Sequence, residues 1–283
     1  MELHLVDPAR EADAVRRFLV ESDPNDYLLE GLPEWIHEGW LWAGTEQGEW
    51  VAFGRLHDLG NHEGWVSGLR VAARCRGRGV GTAFLGALLA DGRARGLGEL
   101  RAVIEDPNIA SRRLFARLGF APVFELTLRR GRAGTSGATP LRPAGPGDDL
   151  GGSVEWLARD SGLVDLMPGS DGGRFGRWRP ELVGRWAREQ KLYLGPGMAA
   201  AVQVDWWTEP RTLWVSFLRG ATEELVPAVA SLARSLDHAE WQTFLPFGAD
   251  RRAEYESLGL TRHPFWGDRV HLFERTDPEN APP

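Results

Sequence analysis

Between Val71 and Ala83 the chain reads Val-Ala-Ala-Arg-Cys-Arg-Gly-Arg-Gly-Val-Gly-Thr-Ala. Gly77, Gly79 and Gly81 alternate, so successive backbone N–H groups can converge on one point with no Cβ in the way. A short β-like run, Trp65 to Val71, precedes this stretch. Phe84, Leu85, Leu88 and Leu89 follow it at helical spacing. Strand, arginine- and glycine-rich turn and helix therefore succeed one another, and the helix adds the positive end of its dipole to the same point. The chemistry of such a device is anion binding, with phosphate the anion it suits best.

Spacing narrows the choice of phosphate ligand. A nucleotide-triphosphate loop needs Gly-Lys-Ser/Thr, and the single lysine of the chain, Lys191, lies far away. A dinucleotide fingerprint needs G-x-G-x-x-G, whereas the chain has Gly77-x-Gly79-x-Gly81. The pattern Arg76-x-x-Gly79-x-Gly81 resembles the acyl-CoA pyrophosphate loop of the GNAT family of N-acyltransferases. A second stretch, Asn108-x-x-Ser111-x-x-Leu114-Phe115-x-x-x-Gly119-Phe120, is similar to that family's later signature, Asn-x-x-Ala/Ser-x-x-Leu-Tyr-x-x-x-Gly-Phe. The resemblance covers residues 1–130.

The resemblance implies acyl-CoA, acetyl-CoA foremost, as co-substrate, a small-molecule primary amine as acceptor, and no metal. It implies that the backbone of Leu69, Arg70 and Val71 binds the pantetheine arm and the thioester oxygen, with Leu69 in the catalytic role. Arg76, Gly77, Arg78, Gly79, Val80, Gly81 and Thr82 would then hold the pyrophosphate, the arginines adding charge-assisted bonds. Asn108 and Ser111 would contact the pantetheine or the adenosine side. Phe115 joins the cofactor set but departs from the pattern: many relatives carry a tyrosine there, placed to protonate the leaving thiolate.

Acyl transfer to an amine needs a rigidly held thioester, an N–H donor at the developing oxyanion, an unprotonated amine and a stabilised thiolate. With both substrates bound together, direct attack in a ternary complex suffices. Glu105, ending the strand beside the acyl site, is the first choice of base; Asp106, Glu63, His62 and Tyr27 are the alternatives. Residues 21–38 carry Glu21, Asp23, Asp26, Glu30, Glu34 and Glu38 among apolar positions. Such a segment is a solvated helix face or an acidic wall for a cationic amine. On the second reading Tyr27, Glu30 and Glu34 bind the acceptor.

The elements that must position these groups read as an α+β fold. A strand from Met1 and a helix from Asp7-Pro8 come first. Strands at 41–44 and 50–56, a polar loop at 57–64, and the two motif-bearing strand–helix units follow. The polar pairs His57-Asp58 and His62-Glu63 read as loop, since no third ligand has metal-site spacing. Residues 130–149 are rich in glycine and proline. Beyond them Trp65-Val66-Ser67-Gly68-Leu69-Arg70 recurs as Trp214-Val215-Ser216-Phe217-Leu218-Arg219, Leu41–Gly44 as Leu192–Gly195, and Leu114–Phe120 as Glu254–Leu260. The expected layout is two tandem domains, each a mixed central sheet flanked by helices. Residues 1–132 form the acyl-CoA-binding domain, 133–139 a linker, 140–276 a degenerate copy and 277–283 a flexible tail. From Trp214 to Gly259 the copy is nine positions shorter than from Trp65 to Gly119, and the loss falls on the arginine-glycine loop. The copy's Trp178, Trp186, Trp206, Trp207, Tyr193, Phe265 and Trp266 would pack or line a cleft.

Length and composition agree with this. The chain has 283 residues, a net charge of −7 and one cysteine, Cys75. The charge argues against non-specific nucleic-acid binding, and the lone cysteine and lack of membrane-length apolar runs point to the cytoplasm. Two rival readings stand beside the acetyltransferase: a transferase using a longer or carrier-bound acyl group, and a non-catalytic acyl-CoA-binding sensor.

Overall fold

The computed structural model describes residues 1–134, 140–145, 147–148, 166–168, 174–177, 179–205, 212–264 and 266–277. Most of the expected linker, Trp178, Trp206, Trp207, Phe265 and the tail from 278 lie outside the described residues.

In chain order the first elements are β1 (Glu2–Leu5), α1 (Pro8–Ser22), a 3₁₀ turn (Tyr27–Leu29), α2 (Leu32–Glu38), β2 (Leu41–Glu46), β3 (Glu49–Gly60), β4 (Glu63–Val71), α3 (Val80–Ala94), β5 (Glu99–Glu105) and α4 (Ile109–Arg117). There follow β6 (Ala121–Arg132), β7 (Arg142–Pro143), β8 (Leu166–Pro168), β9 (Phe175–Arg177), α5 (Pro180–Arg188), β10 (Leu192–Gly195), β11 (Met198–Asp205), β12 (Thr212–Arg219), α6 (Thr222–Ser235), β13 (Glu240–Pro246), α7 (Ala249–Ser257), β14 (Thr261–Arg262) and β15 (Val270–Thr276). Local chemistry sets several boundaries. Asp7 caps α1 by accepting from the Ala9 N–H at 2.9 Å, and Pro8 opens the helix. The expected polar loop at 57–64 is instead a tight hairpin. Its turn residues Asn61 and His62 both have positive φ, 54° and 65°, which lets β3 and β4 continue to its edge.

Contacts divide the chain into two compact units whose limits cross the linear boundary at 132/140. The first comprises Met1–Ile104, Asn108–Val123 and Leu272–Pro283; the second comprises Glu105–Pro107 and Phe124–His271. The first unit's strands run in the order β1-β2-β3-β4-β5-β15, so the C-terminal strand completes its sheet. Arg101, 0 % exposed, fixes that strand: its NH1 donates to Glu63 and its Nε to Glu274, each at 2.7 Å, and its NH2 donates to Glu99. The Asp277 N–H donates to the Gly98 carbonyl, and the Asp277 carboxylate pairs with Arg93. On one face α3 lies close to the sheet, because a Cβ at Gly44 or Gly54 would meet the Phe84 ring at 2.8 or 3.0 Å. On the other, Phe18 of α1 packs on Phe53.

The second unit's strands run β7-β10-β11-β12-β13-β6, with β14 also on β6. Its core joins Leu213, Val215 and Trp241 of the sheet to Leu225, Val229 and Leu232 of α6 and Tyr255 of α7. On the opposite face Trp186 of α5 stacks on Phe217. Trp186 is buried there, Tyr193 is buried in the core on the α6 side, and Trp266 lies edge-on to Phe244. From β2 to α4 and from β10 to α7 the elements follow one another in the same order, and Gly119 and Gly259 end α4 and α7 with φ of 85° and 79°.

Candidate active site

The site in the first unit starts from an irregular strand. β4 pairs with β3 along its length, but Ser67 faces Arg55 while Arg70 faces Phe53. Gly68 and Leu69 together oppose Gly54, which makes a bulge. Gly68 has φ of 62°, and a Cβ there would sit 2.4 Å from Trp35 Cζ3. Only glycine allows both the turn of the backbone and the close approach of the α2 indole. On its other side β4 pairs in parallel with β5 at Glu63–Glu99, Gly64–Leu100 and Trp65–Arg101, and the register stops there although both strands run on. Residues 63–66 of β4 are buried and 67–71 half-buried, so the strand opens where it leaves β5.

The arginine-glycine loop leads from that opening to α3. A 3₁₀ turn at Ala73–Cys75 buries Cys75; Arg76 is extended, and Gly77 and Gly79 have φ of 74° and 81°. Gly79 is the α3 N-cap in left-handed conformation and offers the helix no side-chain cap. The first N–H groups of α3 are therefore not taken up by a capping side chain, which suits an anion. Gly81 has an ordinary φ; its role is close packing, since a Cβ there would meet Val71 at 3.3 Å and Leu114 at 3.5 Å.

The arginines divide their work differently from the sequence expectation. Arg74 turns away to Glu49 at 2.7 Å and the Trp50 carbonyl at 3.3 Å. Arg76 donates to the Val71 carbonyl at 3.2 Å and, through NH2, to the Ser22 carbonyl at 3.1 Å. It thus caps the C-terminus of α1 and braces the loop against β4, a favourable place for a cation. Arg70 is bound by Asp26, and its guanidinium lies over the Tyr27 ring at 5.3 Å. Burial opposes its charge, but Asp26 and Tyr27 outweigh this and raise its pKa. Arg78 is exposed at the loop tip.

Other expected residues fall as follows. Asn108 is the α4 N-cap, accepting from the Ser111 N–H at 3.1 Å. Phe115 is 4 % exposed and packs edge-on to Phe120 at 4.9 Å, inside the core rather than on a ligand surface. Glu63 is buried against Arg101, and His62 bonds the Gly96 carbonyl. Tyr27 and Glu30 are exposed; the Glu34 side chain lies outside the described set. Asp26 is not part of an open acidic wall: it is buried and committed to Arg70. Glu105, half-buried, ends β5 and has interaction partners of its own. In the second unit Asp106 is tied to Arg269 at 3.1 Å and to His271 Nε2 at 2.7 Å. The residues that sequence reasoning missed are Trp35, Asp26 and Ser22 as supports of β4 and its loop. An arginine in a half-buried strand, which requires a counter-ion, was the one available signal for Asp26.

The equivalent place in the second unit is built differently. β12 is bulged as well, skipping Ser216 between Val215 and Phe217, and its parallel pairing with β13 stops early too, after two pairs against three for β4 and β5, at Trp214–Gln242. Only Gly220 and Ala221 separate β12 from α6, whose first turn carries Glu223 and Glu224. Thr243 Oγ1 donates to the Val215 carbonyl at 2.8 Å, so a side chain bridges the parting strands. By register Ala102 of β5 is the counterpart of Thr243 and has no hydroxyl to do this.

Known proteins share this architecture. A GCN5-related N-acetyltransferase from Sphaerobacter thermophilus superposes with a TM-score of 0.64 at 14% identity, over 97% of this chain and 95% of that one. A GCN5-related N-acetyltransferase from Kribbella flavida gives 0.50 at 18% identity, over 97% of this chain and 71% of that one. No curated protein matches by sequence. The fold, a mixed sheet flanked by helices, is thus that of the GNAT acetyltransferases. Residues 10–120 match the model of the acetyltransferase (GNAT) family, so the chain carries a GNAT domain there. Members of that family use acyl-CoA as co-substrate.

Proposed function

We propose that the chain transfers an acyl group, acetyl foremost, from CoA to the primary amine of a small cytoplasmic molecule, using the first unit alone. The second unit is a degenerate tandem copy on this reading. The observation that carries it is the contrast between residues 72–79, which lead from β4 to an α3 uncapped by any side chain, and the two residues that replace them before α6. Backbone N–H groups from Gly77 to Thr82, with Arg78, receive the pyrophosphate. The pantetheine arm lies along Leu69–Val71, where β4 leaves β5, while Thr243 occupies the equivalent place in the copy.

The amine lone pair attacks the thioester carbon. Charge passes to the carbonyl oxygen, which the Leu69 N–H at the bulge receives; one such donor is worth about 10²–10³ in rate. Collapse breaks the C–S bond, and the proton lost by the ammonium balances the one gained by the thiolate. Titration of the full chain with acetyl-CoA should give one bound molecule, and thiol release should rise on adding amines. Two molecules per chain would overturn the division of labour. A second reading, a non-catalytic acyl-CoA sensor, is favoured by Phe115, which has no proton to give. Binding of acetyl-CoA without amine-dependent thiol release would establish it.

A further inference from the structure

Buried donors without acceptors lie on the helix-facing side of the second unit's sheet. β6 and β13 set Arg129 opposite Thr243 and Gly131 opposite Trp241, and strand alternation puts Thr127 on the same side as Arg129. Arg129 is 1 % exposed, and among the described residues its Nε and NH1 have no hydrogen-bond partner. The Thr127 hydroxyl and the Trp241 indole nitrogen are likewise buried and unpartnered. The remaining Arg129 nitrogen, NH2, reaches Asp268 only at 3.4 Å, and the Tyr255 ring lies 6.0 Å from the guanidinium carbon. A buried polar group left so carries the full cost of its lost hydration, and native proteins rarely keep one without a ligand, ion or water to satisfy it.

Charge gives a second, independent indication. Arg262 Nε also approaches Asp268, at 3.2 Å, and Arg252 NH1 at 3.1 Å. Glu256 takes Arg252 Nε at 3.1 Å. Three guanidiniums thus share two carboxylates. The Arg252 and Arg262 side chains are 41% and 49% exposed, which marks the open side of the cluster. We propose that Arg129, Arg252 and Arg262 form a binding site for a small oxyanion of the phosphate or carboxylate type, with Thr127 as a further hydrogen-bonding group. Planar guanidiniums match either anion through paired N–H groups. The site lies within the second unit and does not depend on the acyl-CoA reading.

The test is thermal melting of the full chain at constant ionic strength with inorganic phosphate, with malonate, and with chloride as control. A saturable rise in Tm with phosphate or malonate and none with chloride is expected, since a ligand of the folded state stabilises it by mass action. The better of the two names the source, a phosphate ester or a carboxylate. Arg262→Gln, at an exposed position, should weaken apparent affinity roughly tenfold, Thr127→Val should weaken it less, and Arg129→Met should abolish it. If Arg129→Met does not fold, the first two variants decide. No saturable rise, or an undiminished rise in both Arg262→Gln and Thr127→Val, overturns the proposal. Loss of the rise in Arg78→Ala would overturn it too, because the anion would then sit at the first unit's loop.

Discussion

Arg70 holds Asp26 through two hydrogen bonds, Nε to Oδ2 at 2.5 Å and NH2 to Oδ1 at 2.8 Å, so β4 is tied to the segment ahead of α2. Burial works against the ionised carboxylate, but Arg70 and the Leu28 N–H outweigh it, and the Asp26 pKa is lowered. Asp26→Asn should cost about 2–3 kcal/mol at neutral pH, because it leaves a largely buried guanidinium without its charge partner. A depressed carboxylate pKa stabilises the fold above the ordinary value of about 4 and ceases to as pH falls through the folded pKa. Urea denaturation across that range should therefore show a shallower acid limb in the variant than in the parent chain.

Gly68 and Trp35 form the tightest fit of the site. Gly68→Ala adds a Cβ 2.4 Å from the indole at a φ of 62°, so both overpacking and backbone strain apply. The expected loss is about 3 kcal/mol. Turnover should fall further than stability accounts for, since the bulge aims the Leu69 N–H. In a double-mutant cycle, Trp35→Leu should restore part of the stability but not the rate.

The two loop arginines, Arg76 and Arg78, should behave differently. Arg78→Ala should raise the KM for acyl-CoA several-fold and leave stability within about 0.5 kcal/mol, as for an exposed side chain. Arg76→Ala should raise that KM and also lower stability, by about 1–2 kcal/mol, because it removes donors from the Ser22 and Val71 carbonyls. Calorimetric binding of CoA beside thermal melts separates the two.

Phe115→Tyr tests the missing acid. The ring is buried against Phe120, so a hydroxyl there meets apolar surroundings and should destabilise by about 1–3 kcal/mol. Turnover should stay flat. A rise of tenfold or more would mean that the hydroxyl reaches the thiolate and that protonation limits the rate.

His263 supplies a second pH effect. Burial, helped by the charge of Arg130, pushes its pKa down to about 4. Unfolded histidine titrates near 6.5, so between about pH 6.5 and 4 the unfolded chain binds the extra proton and stability drops by up to about 3 kcal/mol. Above that range the penalty is absent. His263→Gln should flatten this portion of the stability profile.

The legible part of the site was the part coded by local spacing. Gly77 and Gly79 at their intervals from Arg76, and Asn108 ahead of Ser111, specify a turn and a cap whatever the rest of the chain does. The recurrence of Trp65–Arg70 at Trp214–Arg219 likewise marked a second strand, which two residues rather than an arginine-glycine loop join to its helix. The hairpin turn at Asn61-His62 was missed because neither residue is glycine, and positive φ there is imposed by the pairing of β3 with β4.

The sequence alone determined most of the elements, their order and the place of the arginine-glycine loop, because helix dipoles, glycine conformations and hydrophobic periods act over a few residues. Tertiary structure decided which arginines serve that loop as braces and which one stays exposed, since only packing shows that Arg76 meets Ser22 and that Asp26 holds Arg70. It also decided that Leu272–Thr276 belongs to the first unit, anchored by the buried Arg101 and its three carboxylates. Strand partners are chosen by long-range pairing and charge compensation, and neither is written in the spacing of residues along the chain.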